Sequence, residues 1–89
     1  MNHYFLVFNN KAEADACFTE WRQCDICPEF MFGPNGQTAY IIGNNYYFNE
    51  LGEKEERPGY LVNVEGEPPA SAMQYAAPKP QNPKHLFKV

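Results

Sequence analysis

The chain has 89 residues, of which 44% are hydrophobic, a length and composition that predict one folded domain and exclude a disordered body. Its net charge of −4 is uneven: residues 1–67 carry eleven acidic and four basic side chains (−7), and residues 68–89 carry three lysines and no acid (+3). No apolar run reaches the roughly 18 residues of a membrane span, and an acidic body repels phosphate, so neither a membrane nor a nucleic acid is an expected partner.

The first predicted element is a strand at residues 3–8. Its sequence, HYFLVF, is a short, nearly unbroken apolar run with aromatic and β-branched residues, which favours a strand over a helix. The ten residues MNHYFLVFNN lack the basic region and small-residue cleavage site of a signal peptide. We therefore expect a cytoplasmic protein with reduced thiols.

An amphipathic helix is predicted over residues 10–22. Asn10 followed by Glu13 forms the pattern of a capping box. Four apolar residues follow at the spacing of a single helical face: Ala14, Cys17, Phe18 and Trp21. This spacing predicts that the helix packs on the sheet through its two large aromatic side chains.

Strands and turns alternate after the helix. The predicted strands are aromatic and β-branched segments at residues 37–42, 46–50 and 60–64, and residues 29–32 are a candidate for a further short strand. The predicted connections are a type I turn at 33–36, a turn at 43–45 and a charged, solvated loop at 51–59. The order β-α-β-β-β predicts a small α+β fold with a largely antiparallel sheet and one helix packed on it.

Proline is frequent after residue 67, with five prolines in the last 22 residues. Residues 71–76 are expected to form one helical turn, and residues 78–83 an extended segment close to polyproline II. The apolar HLFKV at 85–89 is expected to dock, for example as an edge strand. We therefore predict one α+β domain over residues 1–67 and a proline-rich C-terminal extension, residues 68–89, that docks on it.

The motif CDIC, residues 24–27, is the strongest candidate for metal or redox chemistry. Cys24 and Cys27 have the spacing of half a zinc site, and the missing ligands would have to come from Cys17, His3 or His85. A redox pair needs its first cysteine at a helix N-terminus, whereas CDIC follows the predicted helix. The favoured interpretation is a helix-exit turn with reduced thiols, Ile26 pointing inward and no metal. A zinc-binding or thiol-redox domain using the three cysteines is the alternative.

The titratable residues show no catalytic pattern, so we predict no enzyme activity and no cofactor. His3 lies in a predicted strand and His85 in the proline-rich extension, neither beside a recognisable nucleophile. The acidic residues of 53–57 alternate with basic ones, as in a solvated loop. GPNG at 33–36 lacks the lysine and helix that follow a phosphate-binding loop.

Aromatic residues near the predicted hairpin are the candidate partner-binding surface: Tyr40, Tyr46, Tyr47 and Phe48. Neighbouring strand residues point to opposite faces, and one helix covers only one face of a small sheet. Either the extension covers the second face and most of these rings are buried within the chain, or some of them meet a partner protein.

Residues 57–89 resemble the C-terminal half of a group of small tailed-bacteriophage and prophage proteins. The similarity lies in PGY at 58–60, VNV at 62–64, PA at 69–70 and PKHLF at 83–87. The opening strand followed by the alanine-rich KAEADA is similar as well, and the segment CDICPEFMF has no counterpart in that pattern.

Proteins of this group are typically encoded among tail and tail-fibre genes, and most lack an assigned activity. The resemblance implies a non-enzymatic protein that acts through protein–protein contacts, with itself or with tail components, as an accessory or assembly protein of the tail. It implies a location in the bacterial cytoplasm or in the virion. A second alternative is an acidic inhibitor of a host protein that presents residues 53–56.

Overall fold

The computed structural model describes residues 2–77. Its elements in chain order are β1 (His3–Phe8), α1 (Lys11–Cys17), β2 (Arg22–Gln23), β3 (Phe30–Phe32), β4 (Thr38–Phe48), β5 (Lys54–Glu65), a 3₁₀ helix (Ala70–Tyr75) and β6 (Ala76–Ala77). Within these residues six strands form one sheet in the order β2-β3-β4-β5-β1-β6, and every neighbouring pair is antiparallel. The predicted small α+β domain with a mostly antiparallel sheet is therefore confirmed at this level.

Helix α1 begins as predicted but ends earlier. The Asn10 side chain accepts a hydrogen bond from the backbone N–H of Glu13 at 2.9 Å. The Glu13 carboxylate accepts in return from the backbone N–H of Asn9 at 3.2 Å, one residue before the position expected of a capping box. The prediction of a helix to residue 22 is wrong, because α1 ends at Cys17 with Phe18 as its C-cap.

Sheet pairing accounts for the early end of α1. Residues Arg22 and Gln23 pair with β3 at the edge of the sheet, so the chain has to leave the helix before it reaches them. The backbone N–H of Trp21 donates to the carbonyl of Phe18 at 3.1 Å in a turn. The Trp21 ring packs edge-on against Phe18, with centroids 5.0 Å apart, and against the core. Trp21 therefore reaches the core as predicted, but from a turn instead of from the helix.

The hairpin of β4 and β5 differs most from the sequence prediction. The predicted turn at 43–45 is wrong, because β4 continues through it with register shifts after Ile41 and Asn44. Gly43, at φ +97°, takes up this irregularity, since glycine adopts positive φ without steric cost. The predicted loop at 51–59 is also wrong, because β5 begins at Lys54. Pro58 has no N–H to donate, and it lies where the pairing between β4 and β5 is interrupted.

The main core lies on one face of the sheet, called here the helix face. Its largest fully buried side chains are Phe8, Leu6, Val62 and Val64. Helix α1 covers them with Phe18, whose ring lies 6.1 Å from that of Phe8. The 3₁₀ helix adds the fully buried Ala72 and Tyr75, whose ring lies 4.6 Å from Phe8. The expected helical turn at 71–76 is thus present as a 3₁₀ helix that helps to close this core.

The opposite face of the sheet, called here the second face, carries Phe5, Leu61, Asn63, Tyr40 and Phe30. Strand register places Tyr40 beside both Asn63 and Phe30, and the Phe30 and Tyr40 rings are 5.1 Å apart. The predicted extended segment at 78–83, the apolar segment at 85–89 and their docking lie outside the described residues. No helix among residues 2–77 is long and apolar enough to cross a bilayer.

Candidate interaction surface

The end of the β4–β5 hairpin, residues 46–57, forms a two-stranded extension of the sheet that we call the arm. Tyr46, Tyr47 and Phe48 pair with Glu56, Glu55 and Lys54. Of β5, only residues 60–65 pair with β1, and of β4, only residues 38–40 pair with β3. Within the described residues the two strands of the arm therefore have only each other as ladder partners.

One side of the arm is an aromatic pair beside a lysine. Tyr46 and Phe48 alternate along β4 and point to the same side, with ring centroids 5.6 Å apart in an edge-on arrangement. The Lys54 ammonium lies 4.7 Å from the centroid of Tyr46, within the range of a cation–π contact. These contacts hold the pair together, yet Phe48 remains 54% exposed.

The other side of the arm is built around Tyr47. The Arg57 guanidinium carbon lies 4.9 Å from the centroid of this ring. The pKa of Tyr47 is raised above its usual value. The main cause is a hydrogen bond from the Tyr47 hydroxyl to the Glu55 carboxylate, and the second cause is the negative charge of Glu55. Tyr47 is 38% exposed, so this side also presents a ring with charged groups around it.

The tip of the arm is a turn organised by Asn49. Its side-chain oxygen accepts hydrogen bonds from the backbone N–H groups of Leu51 at 2.9 Å and Glu53 at 3.0 Å. The backbone carbonyl of Asn49 accepts from Gly52 at 2.9 Å, and Gly52 has the positive φ of +79° that such a turn favours. The turn leaves Leu51 83% exposed.

Sequence reasoning named three of the six side chains that form this candidate surface. Of the four predicted residues, the structure brings Tyr46, Tyr47 and Phe48 together on the arm, whereas Tyr40 lies on the second face and is only 7% exposed. It missed Leu51, Lys54 and Arg57, which were placed in a loop. The signal was present in NELG, residues 49–52, because asparagine at the first and glycine at the fourth position are typical of a type I turn.

The CDIC motif forms the connection between β2 and β3. The backbone N–H of Cys24 donates to the carbonyl of Phe30, and the N–H of Phe30 donates to the carbonyl of Cys27, both at 2.9 Å. The predicted inward orientation of Ile26 is wrong: this side chain is 89% exposed, because the turn that closes these bonds directs its middle residues to solvent.

The three cysteines are free and half-buried. Cys17 packs against the helix-face core, as expected for a small apolar side chain, while the backbone N–H of Cys27 donates to the sulfur of Cys24 at 3.4 Å. In the part of the chain from residue 2 to 77, no three His, Cys, Asp or Glu side chains cluster closely enough to hold a metal. His3 faces Glu65 at 4.0 Å, and His85 lies outside the described residues.

Comparisons of this chain with protein-family models, with curated proteins and with solved structures found no match.

Proposed function

We propose that this protein is a non-enzymatic binding module that engages a partner protein through the arm. The exposure of large apolar side chains on one structural element supports this proposal: Phe48 is 54%, Tyr47 38% and Leu51 83% exposed. Exposed apolar side chains grouped on one small element favour an interaction site, and aromatic residues are enriched at the centres of interfaces.

The arm is also organised before it meets a partner. Two bonds to the Asn49 side chain fix the tip, and cations lie over the rings of Tyr46 and Tyr47. Ordering of interface side chains opposes association, so a surface that is already ordered binds more tightly for the same contact area. This organisation favours recognition by a preformed hairpin.

The charge of the arm indicates the partner's chemistry. Residues 46–57 carry four glutamates against Lys54 and Arg57, a net charge of −2. A complementary surface would offer an apolar groove for Phe48 and Leu51 with lysine or arginine at its rim. The alternative of an acidic inhibitor uses the same residues, 53–56, and differs only in the identity of the partner.

The resemblance of residues 57–89 to small phage and prophage proteins directs the choice of partner. We include in the proposal that the partner belongs to the tail module, so the products of neighbouring tail and tail-fibre genes are the first candidates. A second copy of this chain is to be tested with them.

The direct test is a binding titration of the purified protein with each candidate, with the mass of every complex measured by light scattering. Phe48→Ala and Leu51→Ala are expected to weaken binding about tenfold or more each, since a side chain at the centre of an interface contributes at least about 1.4–2 kcal/mol.

Ile26→Ala is the matched control, because Ile26 is an apolar side chain that is 89% exposed in the β2–β3 connection, away from the arm. It should bind like the unchanged chain. Equal losses in the arm and control variants, or no loss in either, would contradict binding through the arm. A strict monomer that binds no tail protein would remove the tail-module part of the proposal.

A further inference from the structure

The second face of the sheet is buried although the helices lie on the other side. Phe5 is 8%, Leu61 3% and Asn63 2% exposed, and strand register places all three on this face. Helix α1 and the 3₁₀ helix pack against the helix-face core instead. Among the elements of residues 2–77, no helix covers the second face, so its low exposure requires another cover.

We propose that residues 78–89 of the same chain dock across the second face. The described chain ends at Ala77 in β6, which pairs with Phe5 of β1, and the sequence continues for twelve more residues. Twelve extended residues reach roughly 40 Å. Three strand spacings, from β6 to β4, amount to only about 14 Å, so the segment can cross the whole face.

The composition of the segment is complementary to this face. It supplies apolar Leu86, Phe87 and Val89 to pack on Phe5 and Leu61. It also carries three lysines and no acid, whereas residues 1–67 have a net charge of −7. Glu65, whose side chain is 40% exposed at the end of this face, is an acidic neighbour for such a lysine.

Asn63 offers a second, independent indication of an extended occupant. Its side chain is 2% exposed, and its Nδ2 group is buried with no hydrogen-bond partner. Buried donors are almost always paired, and an extended backbone passing over the face would bring a carbonyl acceptor. Proline suits this arrangement because it keeps its carbonyl and has no N–H that would need a partner.

The test is nuclear Overhauser spectroscopy on the full chain. Contacts are expected from the side chains of Leu86 or Phe87 to Phe5, Leu61 or the Asn63 side-chain amide. A sample that mixes isotope-labelled and unlabelled chains separates contacts within a chain from contacts between chains. Contacts only between chains would show that a second copy covers the face, and the absence of any contact would show that residues 78–89 do not cover it; either result would overturn the proposal.

A variant carrying Leu86→Ser and Phe87→Ser provides the second measurement. Each lost apolar side chain is expected to lower the equilibrium constant for docking of residues 78–89 about tenfold or more. The Overhauser contacts should therefore disappear, and a soluble gadolinium chelate should relax the exposed Leu61 methyl groups faster. The control carries Ile26→Ser, which removes an exposed apolar side chain in the β2–β3 connection and should leave Leu61 protected. Unchanged protection of Leu61 in the first variant would refute docking, whatever the arm binds.

Discussion

Two phenylalanines in contrasting positions give the sharpest test of this structure. Phe8 is 1% exposed and packs between the sheet, Phe18 and Tyr75, with ring centroids 6.1 and 4.6 Å away. Phe48 is 54% exposed and has one ring partner, Tyr46. The same substitution, Phe→Ala, therefore removes a core side chain in one case and a surface side chain in the other.

Truncation of a buried phenylalanine destabilises a protein by about 3–5 kcal/mol, through lost burial and the cavity left behind. A domain of this size has a free energy of unfolding of about 4–13 kcal/mol, so Phe8→Ala removes a large share of the stability. Phe48→Ala loses about half of the burial and one edge-on contact, which together amount to about 1–3 kcal/mol, less than the cost of the buried ring.

The assay is urea denaturation followed by the fluorescence of the chain's single tryptophan, Trp21. If the dependence of the unfolding free energy on urea concentration is the same in all variants, differences in the urea midpoint report differences in stability alone. If Phe8→Ala does not fold, Phe8→Leu supplies the measurement, with an expected loss of about 1 kcal/mol and a fall in Tm of about 4–8 °C. A cost for Phe8→Ala no greater than that of Phe48→Ala would refute the assignment of the core to the helix face.

Three further substitutions test particular contacts. Asn10→Ala should cost about 1 kcal/mol in the same denaturation assay because α1 loses its N-cap, and Asn10→Ser should restore most of it. Gly59→Ala should cost about 1–3 kcal/mol, since Gly59 has φ +127° and an added Cβ would lie 3.2 Å from Cγ1 of Val7; a neutral effect would contradict this backbone conformation. Glu55→Gln should lower the pKa of Tyr47, because the hydrogen bond to the Glu55 carboxylate is the main cause that raises it. The measurement is a pH titration followed by the resonances of the Tyr47 ring carbons, and an unchanged pKa would show that the contact is absent in solution.

The candidate surface could be predicted only in part. The sequence shows where the aromatic residues are, but it does not show which of them are exposed. Tyr40 and Tyr46 lie on the same strand, yet one is buried on the second face and the other lies on the arm. The difference depends on which strands flank each position, and no local pattern contains that information. Leu51 and Arg57 were missed for the same reason, because charge and proline at 53–58 look like a solvated loop until the pairing with β4 is known.

The sequence by itself determined the elements whose energies are local. The strand at 3–8 and the Asn10 cap follow from side-chain type and from hydrogen bonds between residues three or four apart, and both are present in the structure. Tertiary structure alone decided where α1 ends, that Gly43 is part of a bulge and not a turn, and that residues 54–58 are a strand. Each of these depends on pairing with another strand, whose partner residues lie about six to eighteen positions away in the chain. The free energy gained by completing the sheet outweighs the weaker local preference for a turn or a longer helix.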